Sequence, residues 1–186
     1  MPPSFDVSIR NFERATAKNL ERVLQLRALQ GETSCELEIT SKGGDVNLGL
    51  KMIQIIRESP LAVNATVVTE AGSMAAVILQ YCKIRRMMSN ATLHYHYASW
   101  RISLMVYFDA ELAERNRLSG IKLQNDLIEP IKKRLKITEE DVHKLLREDR
   151  KMNAQEALAR EHIDEIVDYP GFTRHFGPMI GLPPVQ

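Results

Sequence analysis

Apolar and polar positions change period several times along the chain, and each change marks an element. Asn11 to Leu29 carries Phe12, Ala15, Leu20, Val23 and Leu24 approximately on one face among strong helix formers, which predicts an amphipathic helix ending near Gly31. Cys35, Leu37 and Ile39 then alternate with Glu36, Glu38 and Thr40, the period of a half-buried strand. Ser41-Lys42-Gly43-Gly44-Asp45 breaks that pattern. Asp45 is placed to cap a helix from Val46 to about Glu58, with Val46, Leu50, Ile53 and Ile56 inward, and Ser59-Pro60 stops it. A β-branched run from Val63 to Thr69 predicts the next strand. It leads through Gly72 into Ser73-Met74-Ala75 and an apolar, helix-favouring stretch, so Ser73 falls at a strand-to-helix turn.

Beyond this helix, Lys83 to Met88 and Ala91 to His96 read as extended segments separated by Ser89-Asn90. Trp100 to Phe108 is mixed. Asp109 to Leu135 predicts the longest helix, with Leu112, Leu118, Ile121, Leu123, Leu127 and Ile131 among its apolar positions and Pro130 expected to kink or split it. Thr138-x-x-Asp141 and Asn153-x-x-Glu156 each resemble a capping box opening a helix, and Ile163 to Val167 reads as a short closing strand. The tail from Pro170 to Gln186 holds four of the eight prolines and predicts an extended or partly disordered arm.

The alternation of strands and helices favours an α/β fold with a mainly parallel sheet. In such sheets, ligands sit beyond the carboxyl ends of the strands, where both small-residue turns fall. With 186 residues, one domain spanning 1–186 is expected, with a core of about 11–168 and a C-terminal arm over 169–186. A formal net charge of +1 lacks the basic footprint of a nucleic-acid binder. Cys35 and Cys82 form no Cys-x-x-Cys pair, which argues against a disulfide framework or structural zinc. No stretch approaches the roughly 20 apolar residues of a membrane span, and the N-terminus does not read as an export signal, so a cytoplasmic protein is expected.

Ser73 at the start of a helix would place an oxyanion next to backbone N–H groups without intrahelical partners. The commoner role for a serine there is an N-cap. Two further residues change that balance: His96 at a strand end and Asp149 in Arg147-Glu148-Asp149-Arg150. Serine, histidine and aspartate together supply the nucleophile, the base and the group that orients the base in acyl transfer.

These elements resemble the proteolytic subunit of the Clp protease, over about Asn11 to Val167. The family's Ser-Pro-Gly-Gly element is matched by Ser41-Lys42-Gly43-Gly44. Its Ala-Ser-Met-Gly or Ala-Ser-Met-Ala element is matched by Gly72-Ser73-Met74-Ala75, and its Pro-Asn-Ser-x-x-Met-Ile-His element by Ser89 to His96. The Arg-Asp-x-x-Met-Ser-Ala-x-Glu-Ala element is similar to Glu148 through Ala157, with Ile163-Asp164-Glu165-Ile166 following. The resemblance implies the spiral of β-β-α units with a helical handle shared by the Clp protease and crotonase folds, the handle being the helix from Asp109. It implies Ser73 as nucleophile, His96 as general base and then acid, and Asp149 as the partner of His96, with Gly44 and Met74 donating backbone N–H groups to the oxyanion. It further implies a serine-type endopeptidase acting on peptides or unfolded polypeptides inside a homo-oligomer of two stacked seven-membered rings. No cofactor is implied, and ATP would enter only through a Clp-type ATPase partner, since the chain has no phosphate-binding loop.

Three departures shape the expectations. Lys42 replaces the family's proline and Tyr97-Ala98 its Gln-Pro, which points to an altered peptide-binding edge. The N-terminal region is short, so the family's first strand and axial loops are expected to be truncated or altered, which bears on ATPase docking. His94 stands where the family usually has an apolar residue. It shares a strand face with His96, and packing or hydrogen bonding near the site is preferred to a His-x-His metal pair. The rival readings are a crotonase-type acyl-CoA hydratase or isomerase, which needs no Ser-His-Asp set, and a ring subunit without catalysis.

Overall fold

In the computed structural model, which describes residues 4–97 and 110–169, the elements run β1 (Val7–Ile9), α1 (Arg14–Leu29), β2 (Ser34–Ser41), α2 (Val46–Glu58), β3 (Ala62–Gly72), α3 (Met74–Leu79), β4 (Arg85–Met88), β5 (Thr92–His94), α4 (Ala110–Leu135), α5 (Glu139–Glu148), β6 (Lys151–Asn153), α6 (Ala154–Ala159) and β7 (Glu165–Val167). The strands form one sheet in the order β1-β2-β3-β4-β7, with β5 attached to β3 and β6 to β5. Every pairing is parallel except β5 with β6. The sheet forks because β3 is long: Ala65 to Val67 pair with β4, while Glu70 to Gly72 pair with β5.

The alternation in β2 is realised. Cys35, Leu37 and Ile39 are fully buried, while the intervening glutamates carry the polar face. Glu36 accepts from Asn64 and Arg86, and Glu38, only 2% exposed, accepts from Ser8 Oγ at 2.5 Å. Those partners offset the desolvation of the buried carboxylate. On the apolar side, α1 contributes Ala17, Leu20 and Leu24, and α2 contributes Met52, Ile53 and Ile56. Each fully buried leucine or isoleucine supplies about 1.5–3 kcal/mol of hydrophobic stabilisation. α3 is buried on every side, all six residues included, which fixes the helix after Ser73 as the centre of the core.

Local signals located most helix starts. Asp45 accepts from Leu48 N at 2.8 Å, and both capping boxes, at Thr138 and at Asn153, are complete. Several expectations are corrected. A strand not assigned from the sequence, β1, pairs with β2 from Val7↔Leu37 to Ile9↔Ile39. Three residues are too few to show a period. The first helix begins at Arg14, not Asn11, and its buried small residue is Ala17, Ala15 being exposed. α4 runs through Pro130 as one helix, so the expected split is absent. Leu127, Ile128, Ile131 and Leu135 bury its last turns on the domain, an anchorage that offsets the proline's missing N–H. Its earlier Leu118 and Ile121 are exposed. β6 was unforeseen. The Trp100–Phe108 segment and, after Tyr169, the C-terminal arm lie outside the described residues.

Candidate active site

Three parallel strands end on the same side and deliver the candidate residues together. Ser41, the last residue of β2, is in register with Ala71 of β3, and Gly72 of β3 is in register with His94 of β5. The next residues therefore emerge side by side: Lys42-Gly43-Gly44, Ser73-Met74 and Tyr95-His96. Ser73 N–H donates to the His94 carbonyl at 2.8 Å, which ties the serine turn to the histidine strand.

Ser73 has φ 51° and ψ −123°, a conformation that costs a non-glycine residue about 1–3 kcal/mol and persists only where its surroundings enforce it. Its side chain makes no cap hydrogen bond, so the hydroxyl is not spent on the N-cap role. The neighbouring turn provides the enforcement. Gly43 has φ 96°, and a methyl group there would lie 2.6 Å from the Gly72 carbonyl oxygen and 2.8 Å from Ser73 Cβ. Gly43 thus packs directly on the serine turn, with Met74 N next nearest at 3.0 Å from that methyl position, while Gly44 faces Phe12. Met74 opens α3, so its N–H belongs to the helix's unpaired first turn.

His96 Nδ1 lies 2.7 Å from the Tyr97 carbonyl oxygen. A carbonyl only accepts, so Nδ1 carries the proton and the neutral ring keeps its lone pair on Nε2, the form a general base requires. The Tyr97 ring is itself held, its hydroxyl 2.8 Å from His143 Nδ1 of α5 and the two rings stacked at 5.9 Å. Ser73 and His96 line one narrow cavity of about 20 Å³ with Met74, Val77 and Leu146. That is room for about one water molecule. His96 also borders a wider cleft of about 290 Å³, with Lys42, Glu70, Gly72, His94 and Lys151.

Asp149 is brought to His94 and not to His96. Its Oδ1 lies 2.7 Å from His94 Nε2, and the two histidine rings sit 5.3 Å apart. Asp149 ends α5 in the left-handed region, φ 45°, just before β6. Sequence reasoning named Ser73, His96 and Asp149 but missed the pairing of Asp149 with His94 and the Tyr97 carbonyl. The shared strand face of His94 and His96 was the available signal.

Behind the two histidines, Tyr95 points the other way and is 2% exposed. Its hydroxyl accepts from Gln80 Nε2 at 2.7 Å, Gln80 accepts from Arg85 at 2.7 Å, and Arg85 forms an ion pair with Asp164 at 2.6 Å. This buried chain anchors β5 from beneath. Burial pushes the Tyr95 hydroxyl well up, and burial, aided by Arg85, pushes His162 down to about 4. Cys35 and Cys82 are free and buried, each pushed up to about 12 chiefly by burial, which makes them packing residues and not nucleophiles. Among the described residues, no group of three or more His, Cys, Asp or Glu side chains could hold a metal ion.

A mainly parallel α/β sheet thus carries a strained serine at a strand-to-helix turn and a histidine just past the end of the adjoining strand. The Clp protease family matches residues 8–170, and the chain belongs to that family. Comparison with curated proteins finds no match. Membership carries the family's peptidase character and the expected fold class. No helix among the described residues is long and apolar enough to cross a membrane.

Proposed function

We propose that this protein is a serine-type endopeptidase that hydrolyses peptide bonds in unfolded polypeptides through an acyl-enzyme on Ser73. The observation that carries the reading is the Ser73 turn: strained, not spent as a cap, and flanked by His96 and the Gly43-Gly44 turn at one end of the sheet. Ser73 Oγ attacks the scissile carbonyl carbon while His96 Nε2 takes the hydroxyl proton. The resulting oxyanion accepts from the Met74 and Gly44 N–H groups, each such donor being worth about 2.7–4 kcal/mol. His96 then gives its proton to the departing amine, and water attacks the ester with His96 again as base. Asp149 stabilises the imidazolium formed in both steps. This chemistry uses no metal or organic cofactor.

Substrate would lie along the cleft beside His94 and His96, where Lys42 and Lys151 add positive charge at the rim and Lys151 is paired with Glu70 at 3.4 Å. Leu118 and Ile121, exposed on α4, supply an apolar surface through which copies would stack as rings around a closed chamber. ATP dependence would come from a Clp-type ATPase docking on those rings. The bond of Asp149 to His94 favours a second reading, a ring subunit that keeps the fold without turnover. Hydrolysis of fluorogenic peptides and unfolded casein separates the two. The endopeptidase reading expects turnover by wild type that Ser73→Ala abolishes, and turnover that survives Ser73→Ala refutes it.

A further inference from the structure

The β5–β6 ladder sets Asp149 between two histidines. Thr92 faces Asn153, Leu93 faces Met152 and His94 faces Lys151, so two further steps of the same antiparallel register bring Asp149 opposite His96. The ladder stops two pairs short of that, the chain turning at Asp149 (φ 45°), and the carboxylate reaches diagonally to His94 instead. In a ladder, directly opposed Cβ atoms lie about 4.5–5.5 Å apart and diagonal neighbours roughly 7–8 Å, so a carboxylate at this register is a side-chain rearrangement away from either ring. The two rings sit 5.3 Å from centroid to centroid, His96 lying two residues past the end of β5.

The hydrogen-bonding inventory has a matching ambiguity. The Asp149 carboxylate accepts from His94 Nε2 at 2.7 Å, and in the extended register it would face His96. The Nδ1–H of His96 donates to the Tyr97 carbonyl at 2.7 Å, and a carboxylate opposite it in register would compete for that hydrogen. Neighbouring cations do not decide the choice. Arg150 is engaged by Glu156 at 2.9 Å and Lys151 by Glu70 at 3.4 Å. Asp149 is 65% exposed and His94 23%, so the present pair is accessible and weakly held.

Resting on the peptidase reading, we propose that His94 is a positioning residue that holds Asp149 away from His96 in the resting protein, and that Asp149 transfers to His96 when the latter takes the Ser73 proton. A neutral His96 is satisfied by the Tyr97 carbonyl. An imidazolium attracts the carboxylate, which lies one diagonal step away. His94 thus sets how much of Asp149's help is available to the reaction.

The test is the second-order rate of fluorophosphonate labelling at Ser73 in wild type, His94→Met, Asp149→Asn and the double variant. Release of Asp149 in His94→Met is expected to raise the rate about two- to five-fold, the range that an exposed ion pair allows. The drop caused by Asp149→Asn should be larger in the His94→Met background than in wild type. His94→Gln, whose amide still donates to Asp149, should keep that drop small. A drop equal or smaller in the His94→Met background, or a His94→Met rate as low as that of Asp149→Asn, overturns the proposal. Should His94→Met fail to fold, ring-nitrogen NMR decides on the wild-type background: Asp149→Asn is expected to move the His94 signals, and a change confined to His96 overturns it. Absence of labelling in wild type is a separate outcome. It refutes the peptidase reading, and with it the role of His94 in that reaction.

Discussion

Gly43 shows how one residue without a side chain shapes a site it does not chemically join. A methyl group at Gly43 would strike the Gly72 carbonyl and Ser73, and φ 96° is unfavourable for any other residue, so Gly43→Ala is strained twice over. Gly31 supplies the control, since φ is 77° but nothing lies within 4 Å of an added methyl. In urea unfolding, Gly31→Ala should cost about 1–2 kcal/mol. Gly43→Ala should cost more and also lower peptide turnover; equal costs with turnover intact would deny the close packing any role. His162 makes a residue-scale prediction of another kind. Burial holds it at about 4 against an ordinary 6.5, so between these values the unfolded chain binds a proton that the folded one does not. Its contribution is complete above pH 6.5 and falls by about 3 kcal/mol as pH drops towards 4. Unfolding free energy measured across that window should slope less in His162→Phe than in wild type, and parallel slopes would contradict the assignment.

At the scale of elements, the site is a product of register. β2, β3 and β5 run parallel and end together, and β6 enters antiparallel from the same end, so four segments distant in sequence meet in one place. What was legible in the sequence was local chemistry. The caps of Asp45, Thr138 and Asn153, the period of Cys35-Leu37-Ile39 and the turn at Ser73 each depend on residues within a few positions of one another. What stayed hidden depended on partners far away. β6 has only three residues and owes its existence to β5, and the bond of Asp149 to His94, across 55 residues, lies beside a ladder joining residues 57 to 61 apart. Pro130 does not split α4 for a related reason: tertiary anchorage of its last turns outweighs a local breaking signal. The α6 cap follows β6 directly, so Asn153→Ala should cost about 1 kcal/mol in urea unfolding. Because Asn153 also pairs with Thr92, amide exchange should quicken through β5 and β6, and an effect confined to α6 would separate the cap from the ladder.

For the whole molecule, the exposed apolar positions on α4 set the expectation. Leu118 is 54% and Ile121 45% exposed, on a helix whose last turns bury Leu127, Ile128, Ile131 and Leu135 in the domain. Native mass measurement should find a multi-subunit ring assembly, and Leu118→Glu with Ile121→Glu should reduce it to smaller species; a wild-type monomer at high concentration would remove the ring proposal. The proposed acyl-enzyme forms on Ser73, at the strained turn that follows β3. The most direct test is intact-mass analysis after exposure to a fluorophosphonate probe, with the adduct mapped by peptide fragmentation. One adduct per chain on Ser73, absent from Ser73→Ala, is the result expected; an unlabelled wild-type protein, or an adduct that persists on another residue in Ser73→Ala, would contradict the account.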